Sequence, residues 1–509
     1  MTQEMTDTRP DGAAWRLDHA VLCNAHLTPD KPALIYEDKS LSYAALSQLV
    51  DTTASWLAGH LVRGDRFACY SMNHPEYFVL LLAASRIGVI MVPLNWRLSA
   101  AELAYQLRDC APKLLVYGAE FAAGIDALTG TDTAMIRQPI DGLDSARADG
   151  GIAPMMANDT TDTSEAPLLI VYTSGTTGRP KGAVLPQRAM RSNARMSQHA
   201  YSLQSSDVVL NVLPLFHVGG LNIHPVPALI SGATVILHRS FDPAAALDVI
   251  AQAGVTLMNS VPTILGAMVM HENWAKTDLS SMRLFSIGST DVPVALIRAV
   301  HNRQIPVVQI YGATETAPSA IYQTADIAFE TIGSIGRQGC DNAIRLVDLN
   351  GSDVPDGEVG EIWVRGKNVL TGYWRDKAAT SANLTDGWFH TGDMARRDAN
   401  GLYWFADRLK HVIISGGENI YPAELERLLT NYTALAEFCV VGRDDERWGQ
   451  VPVVVAVRRG EDVTEIDILR AFEKQVARFK RPKAVIFVEK LPRNALGKIL
   501  IGEVARLIA

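Results

Sequence analysis

Cysteine is scarce. The 509 residues hold five, at Cys23, Cys69, Cys110, Cys340 and Cys439, with no close pair. That spacing excludes a zinc-type cluster and a disulfide framework, and fits inert thiols in a reducing cytoplasm. Long uncharged hydrophobic runs are also missing. The longest apolar stretch, residues 77–93, is broken by Arg86 and ends at Pro93. It reads as a buried helix followed by a strand, not as a membrane span. Residues 1–12 are polar and partly acidic, unlike a signal peptide. Positive charge is not in excess: 47 Lys/Arg stand against 55 Asp/Glu, for a net charge of −8. A general nucleic-acid role is therefore disfavoured. A homodimer is left open.

What is present is concentrated at residues 172–182: Tyr172, Thr173, Ser174, Gly175, Thr176, Thr177, Gly178, Arg179, Pro180, Lys181 and Gly182. Glycines let backbone N–H groups turn toward an anion, hydroxyls add donors, and Lys181 adds a mobile charge. The run follows the apolar residues 168–171, so it is expected at a strand end, and its chemistry suits a polyphosphate. It is not a Walker A loop, which requires Gly-Lys-Ser/Thr after four residues. Pro180 just before the lysine also argues against a helix opening there.

The loop resembles the signature of the adenylate-forming superfamily: acyl-CoA synthetases, nonribosomal-peptide adenylation domains and luciferases. Further motifs follow in order. Tyr311-Gly312-Ala313-Thr314-Glu315 is similar to the second core motif and Thr391-Gly392-Asp393 to the third. Asp407-Arg408-Leu409-Lys410 resembles the hinge, residues 415–422 the glycine loop after it, and residues 492–498 the terminal motif ending in Lys498. Alternating β-branched runs and amphipathic segments imply α/β layers with largely parallel strands. Turn signals between apolar runs at residues 344–365 imply a small β subdomain. Residues 132–165 are expected to be a surface excursion. The fold class implied is α/β, with a large layered N-terminal domain over residues 1–409 and a small mobile α+β lid over residues 410–509.

The resemblance implies an ATP-dependent carboxylate–CoA ligase using ATP, Mg²⁺ and coenzyme A. Thr173, Ser174, Gly175, Thr176, Thr177, Gly178 and Lys181 would hold the β- and γ-phosphates. Thr314 would meet the α-phosphate, and Glu315 with Thr176 would bind Mg²⁺, a hard cation that takes oxygen ligands. Tyr311 offers an aromatic face for adenine and Gln309 a partner for its exocyclic amine, with Gly312 beside them and Ser289 on the loop beneath. Asp393 has two acceptors suited to the ribose hydroxyls. Arg408 would support the ribose or the phosphate. Lys498 is expected to bridge the attacking carboxylate and the α-phosphate, and Lys410 to be the pivot of a domain rotation.

Trp448 and Phe479 resemble the residues that pack on CoA in aryl- and acyl-CoA ligases. Arg481 and Lys483 would meet its phosphates, and Gly416 and Gly417 would let the pantetheine arm approach closely. The acyl pocket is expected around His217, Val218, Gly219, Gly220, Asn222, Val261 and Pro318. Gly219 and Gly220 are read as leaving room beside His217, which would gate or floor the pocket. An apolar acid, aromatic or medium-chain, is the expected substrate. Arg283 is open to contact with a second carboxylate. The alternative is an acyl- or amino-acid-adenylating enzyme that loads a carrier protein.

Overall fold

A computed structural model describes residues 15–129, 135–149, 163–173, 179–289, 292–348, 350–415, 418–430, 432–460, 463–473, 475–493 and 499–508. The chain divides into two compact units, one of residues 1–343 and 364–389, the other of residues 344–363 and 390–509. This division by packing differs from the expected boundary at Lys410. Residues 344–363 and 390–408 are antiparallel strands that pack chiefly with the second unit.

The first unit is built on two sheets. Nine strands form one of them, with Leu257–Ser260, Leu284–Gly288 and Val307–Tyr311 parallel and adjacent at its centre. These are short β-branched and apolar runs buried on both faces, as parallel strands require. Amphipathic helices connect the strands, such as Pro243–Ala253, which leads into Leu257–Ser260, is capped by Asp242 and is stopped by the left-handed Gly254. The core between these helices and the sheet includes Leu247, Ile250, Met258, Phe285 and Val300. The second sheet has seven strands, in which Pro167–Thr173 and Lys181–Pro186 form an antiparallel hairpin that pairs Thr173 with Lys181. The expected helix and strand at residues 77–93 are present as Glu76–Ile87 and Ile90–Pro93.

One expectation needs correcting. Within residues 132–165, residues 135–149 form regular structure and not a bare surface excursion. Ile136–Pro139 adds a parallel edge strand beside Leu114–Tyr117, and the helix Leu143–Asp149 buries Arg147 against Thr53 and Glu76. The polar composition hid this because the edge strand is only half covered and the anchoring partner is an arginine.

The turns expected at residues 344–365 lie between Asn342–Val347 and Val359–Gly366, neighbouring strands of one sheet, and that sheet also holds Trp388–Arg397 paired antiparallel with Tyr403–Arg408, Asp393 opposite Arg408. After residue 410 an α+β body follows. Leu435–Asp445 and Gly449–Arg458 form a long antiparallel pair, Ala484–Phe487 joins in parallel, and the helices Pro422–Leu429 and Glu465–Arg470 cover a face. Among the described residues, no helix is long and apolar enough to cross a membrane.

Candidate active site

In the first unit, chemistry gathers where the hairpin Pro167–Thr173/Lys181–Pro186 meets the turn after Val307–Tyr311. Glu315 lies in a short helical turn and is 8% exposed. Its Oε1 accepts from the Tyr373 hydroxyl at 2.9 Å and from Thr173 Oγ1 at 3.3 Å. The Lys181 ammonium stands 5.4 Å from the Tyr373 ring centroid. Burial, then the Glu315 charge, push the Tyr373 pKa up, so the phenol stays a neutral donor. Thus Thr173, Lys181 and Glu315 come together from distant sequence. Tyr373 is a member that sequence reasoning missed. Its signal was a Gly-Tyr pair ending an apolar run, too common to select. The intervening Ser174, Gly175, Thr176, Thr177 and Gly178 lie outside the described residues.

Beside this cluster, Gln309 and Tyr311 sit two apart on one strand and so share a face. Tyr311 is 9% exposed. Gln309 is buried, and its Nε2 donates to the Ser334 carbonyl, which commits its amide nitrogen to the protein. Two glycines make close approaches possible: a Cβ on Gly312 would lie 1.6 Å from the Pro318 carbonyl oxygen, and one on Gly288 would lie 2.3 Å from that of Ile310. Ser289 is exposed and left-handed, with φ +76°. Thr314 is half-buried on the turn that carries Glu315.

The acyl segment follows the strand Val208–Asn211. His217 caps the short helix Val218–Asn222. Its imidazole is pushed down to about 4 by desolvation, then by the Arg97 charge, so it is neutral at ordinary pH. The two glycines after it differ. A Cβ on Gly219 would meet nothing within 4 Å, so this residue opens onto space beside His217. A Cβ on Gly220 would lie 2.2 Å from the Pro214 carbonyl oxygen. Gly220 therefore lets the chain close on itself and leaves no room for a ligand, which corrects the expectation for that residue.

Val218 and Pro318 are buried and Val261 is half-buried. Asn222 is fully buried and turned to the protein, its Nδ2 against Met190 Sδ at 3.4 Å and the Ala317 carbonyl at 3.5 Å. Arg283 is not available to a second carboxylate. Its guanidinium pairs with both Asp207 oxygens at 2.6 and 2.7 Å and donates to the Tyr201 and Ser202 carbonyls.

Behind Gly219 runs a buried polar chain. Asn259 Nδ2 donates to the Gly219 carbonyl at 3.1 Å, Ser286 Oγ donates to Asn259 Oδ1 at 2.7 Å, and His224 Nε2 lies 3.2 Å from Ser286 Oγ. Burial holds His224 down at about 3. Sequence reading did not single out these three residues, since a lone polar residue in an apolar strand has no visible partner.

The second unit holds the remaining candidates. Asp393 is 6% exposed, with Arg408 Nε 3.2 Å from its Oδ1. Trp448 is 44% exposed, its backbone N–H held by Asp445 and its ring 4.9 Å from the Arg447 guanidinium carbon. Lys483 is exposed and Arg481 half-buried, donating to the Val476 carbonyl at 3.4 Å. Beside Arg481, Lys480 is paired with Glu424 at 2.8 Å. Lys498, Gly416 and Gly417 lie outside the described residues, as do the side chains of Lys410 and Phe479.

Comparison with known proteins decides the family. Residues 23–374 match the AMP-binding enzyme family, and residues 424–498 match the AMP-binding enzyme C-terminal domain. The chain belongs to the AMP-binding enzymes. Among its relatives, indoleacetate–CoA ligase of Aromatoleum aromaticum is 45% identical, covering 96% of this chain and 97% of that protein. Feruloyl-CoA synthase of an Amycolatopsis species is 39% identical over 95% and 97%. The solved o-succinylbenzoate CoA synthetase of Bacillus subtilis, in complex with its acyl-adenylate intermediate, is 30% identical, with a TM-score of 0.84 over 95% and 97%.

This AMP-binding enzyme is an AMP-forming carboxylate–CoA ligase that uses ATP, Mg²⁺ and CoA. It converts an acid to its acyl adenylate and then to the thioester. The donor set suits the metal. No group of three His, Cys, Asp or Glu is gathered among the described residues, but Glu315 presents one carboxylate ringed by hydroxyls. Mg²⁺ is commonly held by one or two carboxylates together with substrate phosphates.

Proposed function

We propose that the enzyme activates an apolar aromatic carboxylic acid, of the arylacetate or arylacrylate kind, and that the acid's ring lies beside His217 over Gly219. The open face of Gly219 carries this reading. We assign to that space the neutral imidazole of His217 and the apolar Val218, Pro318 and Val261, and Arg283, committed to Asp207, supplies no cation to favour a second carboxylate. The relatives named for indoleacetate and feruloyl-CoA support an aromatic acid over a medium-chain one.

The roles follow from charge. A carboxylate must approach the α-phosphate of a polyanion, so cations and fixed dipoles must be in place first. Thr173 to Gly178 and Lys181 hold the outer phosphates, and Thr314 donates to the α-phosphate. Glu315, oriented by Tyr373, holds Mg²⁺ with Thr176; the bound ion would neutralise phosphate charge. Tyr311 packs on adenine, with Gly312 and Ser289 beside it. Gln309 reaches the base with its carbonyl oxygen, since its nitrogen is committed. Asp393 accepts from the ribose hydroxyls, with Arg408 in support. Lys498 bridges acid and α-phosphate in the first half-reaction. A rotation pivoting at Lys410 then brings Trp448, Phe479, Arg481, Lys483, Gly416 and Gly417 to CoA. Five free cysteines without a disulfide among the described residues fit a cytoplasmic enzyme.

The test is AMP release with ATP, Mg²⁺ and a panel of acids, with and without CoA. Release that needs both an aromatic acid and CoA, and that Lys498→Ala abolishes, supports the reading. Preference for medium-chain acids would overturn the aromatic assignment. Acid-dependent pyrophosphate exchange to which CoA adds nothing would point to a carrier protein as acceptor.

A further inference from the structure

Asp393 follows a glycine in the left-handed conformation, Gly392 at φ +67°, so the carboxylate leaves the strand at a corner that must itself be held. The neighbouring strand Val359–Gly366 holds it. Thr391 Oγ1 donates to the Ile362 carbonyl at 2.7 Å and accepts from the Asp393 N–H at 3.1 Å. On the other side, Glu361 Oε1 accepts from the Gly392 N–H at 2.8 Å, and Glu361 Oε2 accepts from the indole N–H of Trp363 at 2.9 Å.

Each oxygen of Glu361 therefore faces a donor. Only a carboxylate offers two acceptors in that geometry; an amide would turn an N–H toward one of the two N–H groups. Charge-assisted bonds of this length are among the stronger ones. Glu361 is not among the groups assigned to substrate; it bonds the Gly392 N–H, one residue before Asp393.

We propose that Glu361 is a positioning residue for nucleotide binding: bracketed by Trp363 and Gly392, it fixes the corner from which Asp393 meets the ribose hydroxyls. The inference rests on the ribose role given to Asp393 above. It predicts a defect confined to the nucleotide and, within the nucleotide, to the sugar hydroxyls.

The experiment uses the full-length enzyme. The KM for ATP, the KM for the acid and the preference for ATP over 2′,3′-dideoxy-ATP are measured for wild type, Glu361→Gln, Trp363→Phe and Asp393→Ala. Glu361→Gln is expected to raise the KM for ATP about tenfold and to erase most of the preference for the ribose hydroxyls, with the KM for the acid unchanged. Trp363→Phe keeps the Glu361–Gly392 bond and is expected to give a smaller shift of the same kind. It also reports on the proposal should Glu361→Gln fold poorly.

If Asp393→Ala loses ribose discrimination while Glu361→Gln and Trp363→Phe keep it, the positioning role is wrong and the ribose role stands. If Asp393→Ala keeps the discrimination, the ribose role itself is wrong. A uniform fall in kcat, with melting temperature lowered and both KM values unmoved, would make Glu361 a purely structural residue and overturn the proposal.

Discussion

The two compact units present their chemistry in opposite ways. In the first, the central groups are buried and already hydrogen-bonded. Glu315 is 8% exposed and accepts from two hydroxyls, and Gly219 is pinned through Asn259. In the second, two of the residues assigned to CoA, Trp448 and Lys483, stand in solvent, Trp448 at 44% exposed, and Arg481 is half-buried. A site that stabilises charge on transferring phosphate gains from dipoles fixed in advance, because none has to reorganise during the reaction. A surface that receives a long thiol from solution gains from access. Asp393 is the exception that sharpens the contrast: it belongs to the second unit yet is buried and braced like a residue of the first.

The largest expected effect tests the fixed half. Glu315→Gln removes the charge and should lower acid-dependent pyrophosphate exchange and thioester formation together, by roughly a thousandfold. Loss of thioester formation alone would break the comparison, since Glu315 would then act only in the second half-reaction. Trp448→Ala tests the exposed half. It should raise the KM for CoA roughly tenfold, the scale of one lost aromatic contact, and leave pyrophosphate exchange and melting temperature near wild type. A defect in exchange would show that Trp448 is part of the adenylation site.

Asn259→Ala probes the brace behind the acyl pocket. It takes Asn259 from the Gly219 carbonyl and leaves the Ser286 hydroxyl with His224 alone, which should destabilise the fold by about 1–3 kcal/mol. The KM for the acid should rise several-fold and the KM for ATP should not. If both rise equally, the chain through Ser286 supports the fold and not the pocket.

These cases also show what a sequence displays. Thr173, Lys181, Glu315 and Asp393 were legible because loop motifs carry unusual residue densities at short range. The layered α/β class was legible because buried parallel strands leave short β-branched runs. Tyr373, Asn259 and Glu361 were not, because each bonds a partner distant in sequence, and the pairing exists only once the chain has folded. Gly219 and Gly220 read alike in sequence. What separates them is the Pro214 carbonyl, which packs against one and not the other.

The smallest effect concerns pH. His217 is held down at about 4 and His224 at about 3, both chiefly by burial. In the unfolded chain each would titrate near 6.5. Between those values the unfolded state binds more protons than the folded one, so stability rises with pH. The folded state should be at full strength above about pH 7 and weaken as pH falls through 6.5 toward 4, one such group supplying at most about 1.4 kcal/mol per pH unit. Melting temperatures from pH 7.5 to 5 should show this decline, and His224→Gln, which keeps a donor for Ser286 without a titrating ring, should make it shallower. An unchanged slope would mean that His224 gains a proton in the folded state as readily as in water, and that the chamber behind the acyl pocket is wet. The buried, preset character assigned to the first unit would then fail at a fully buried polar residue.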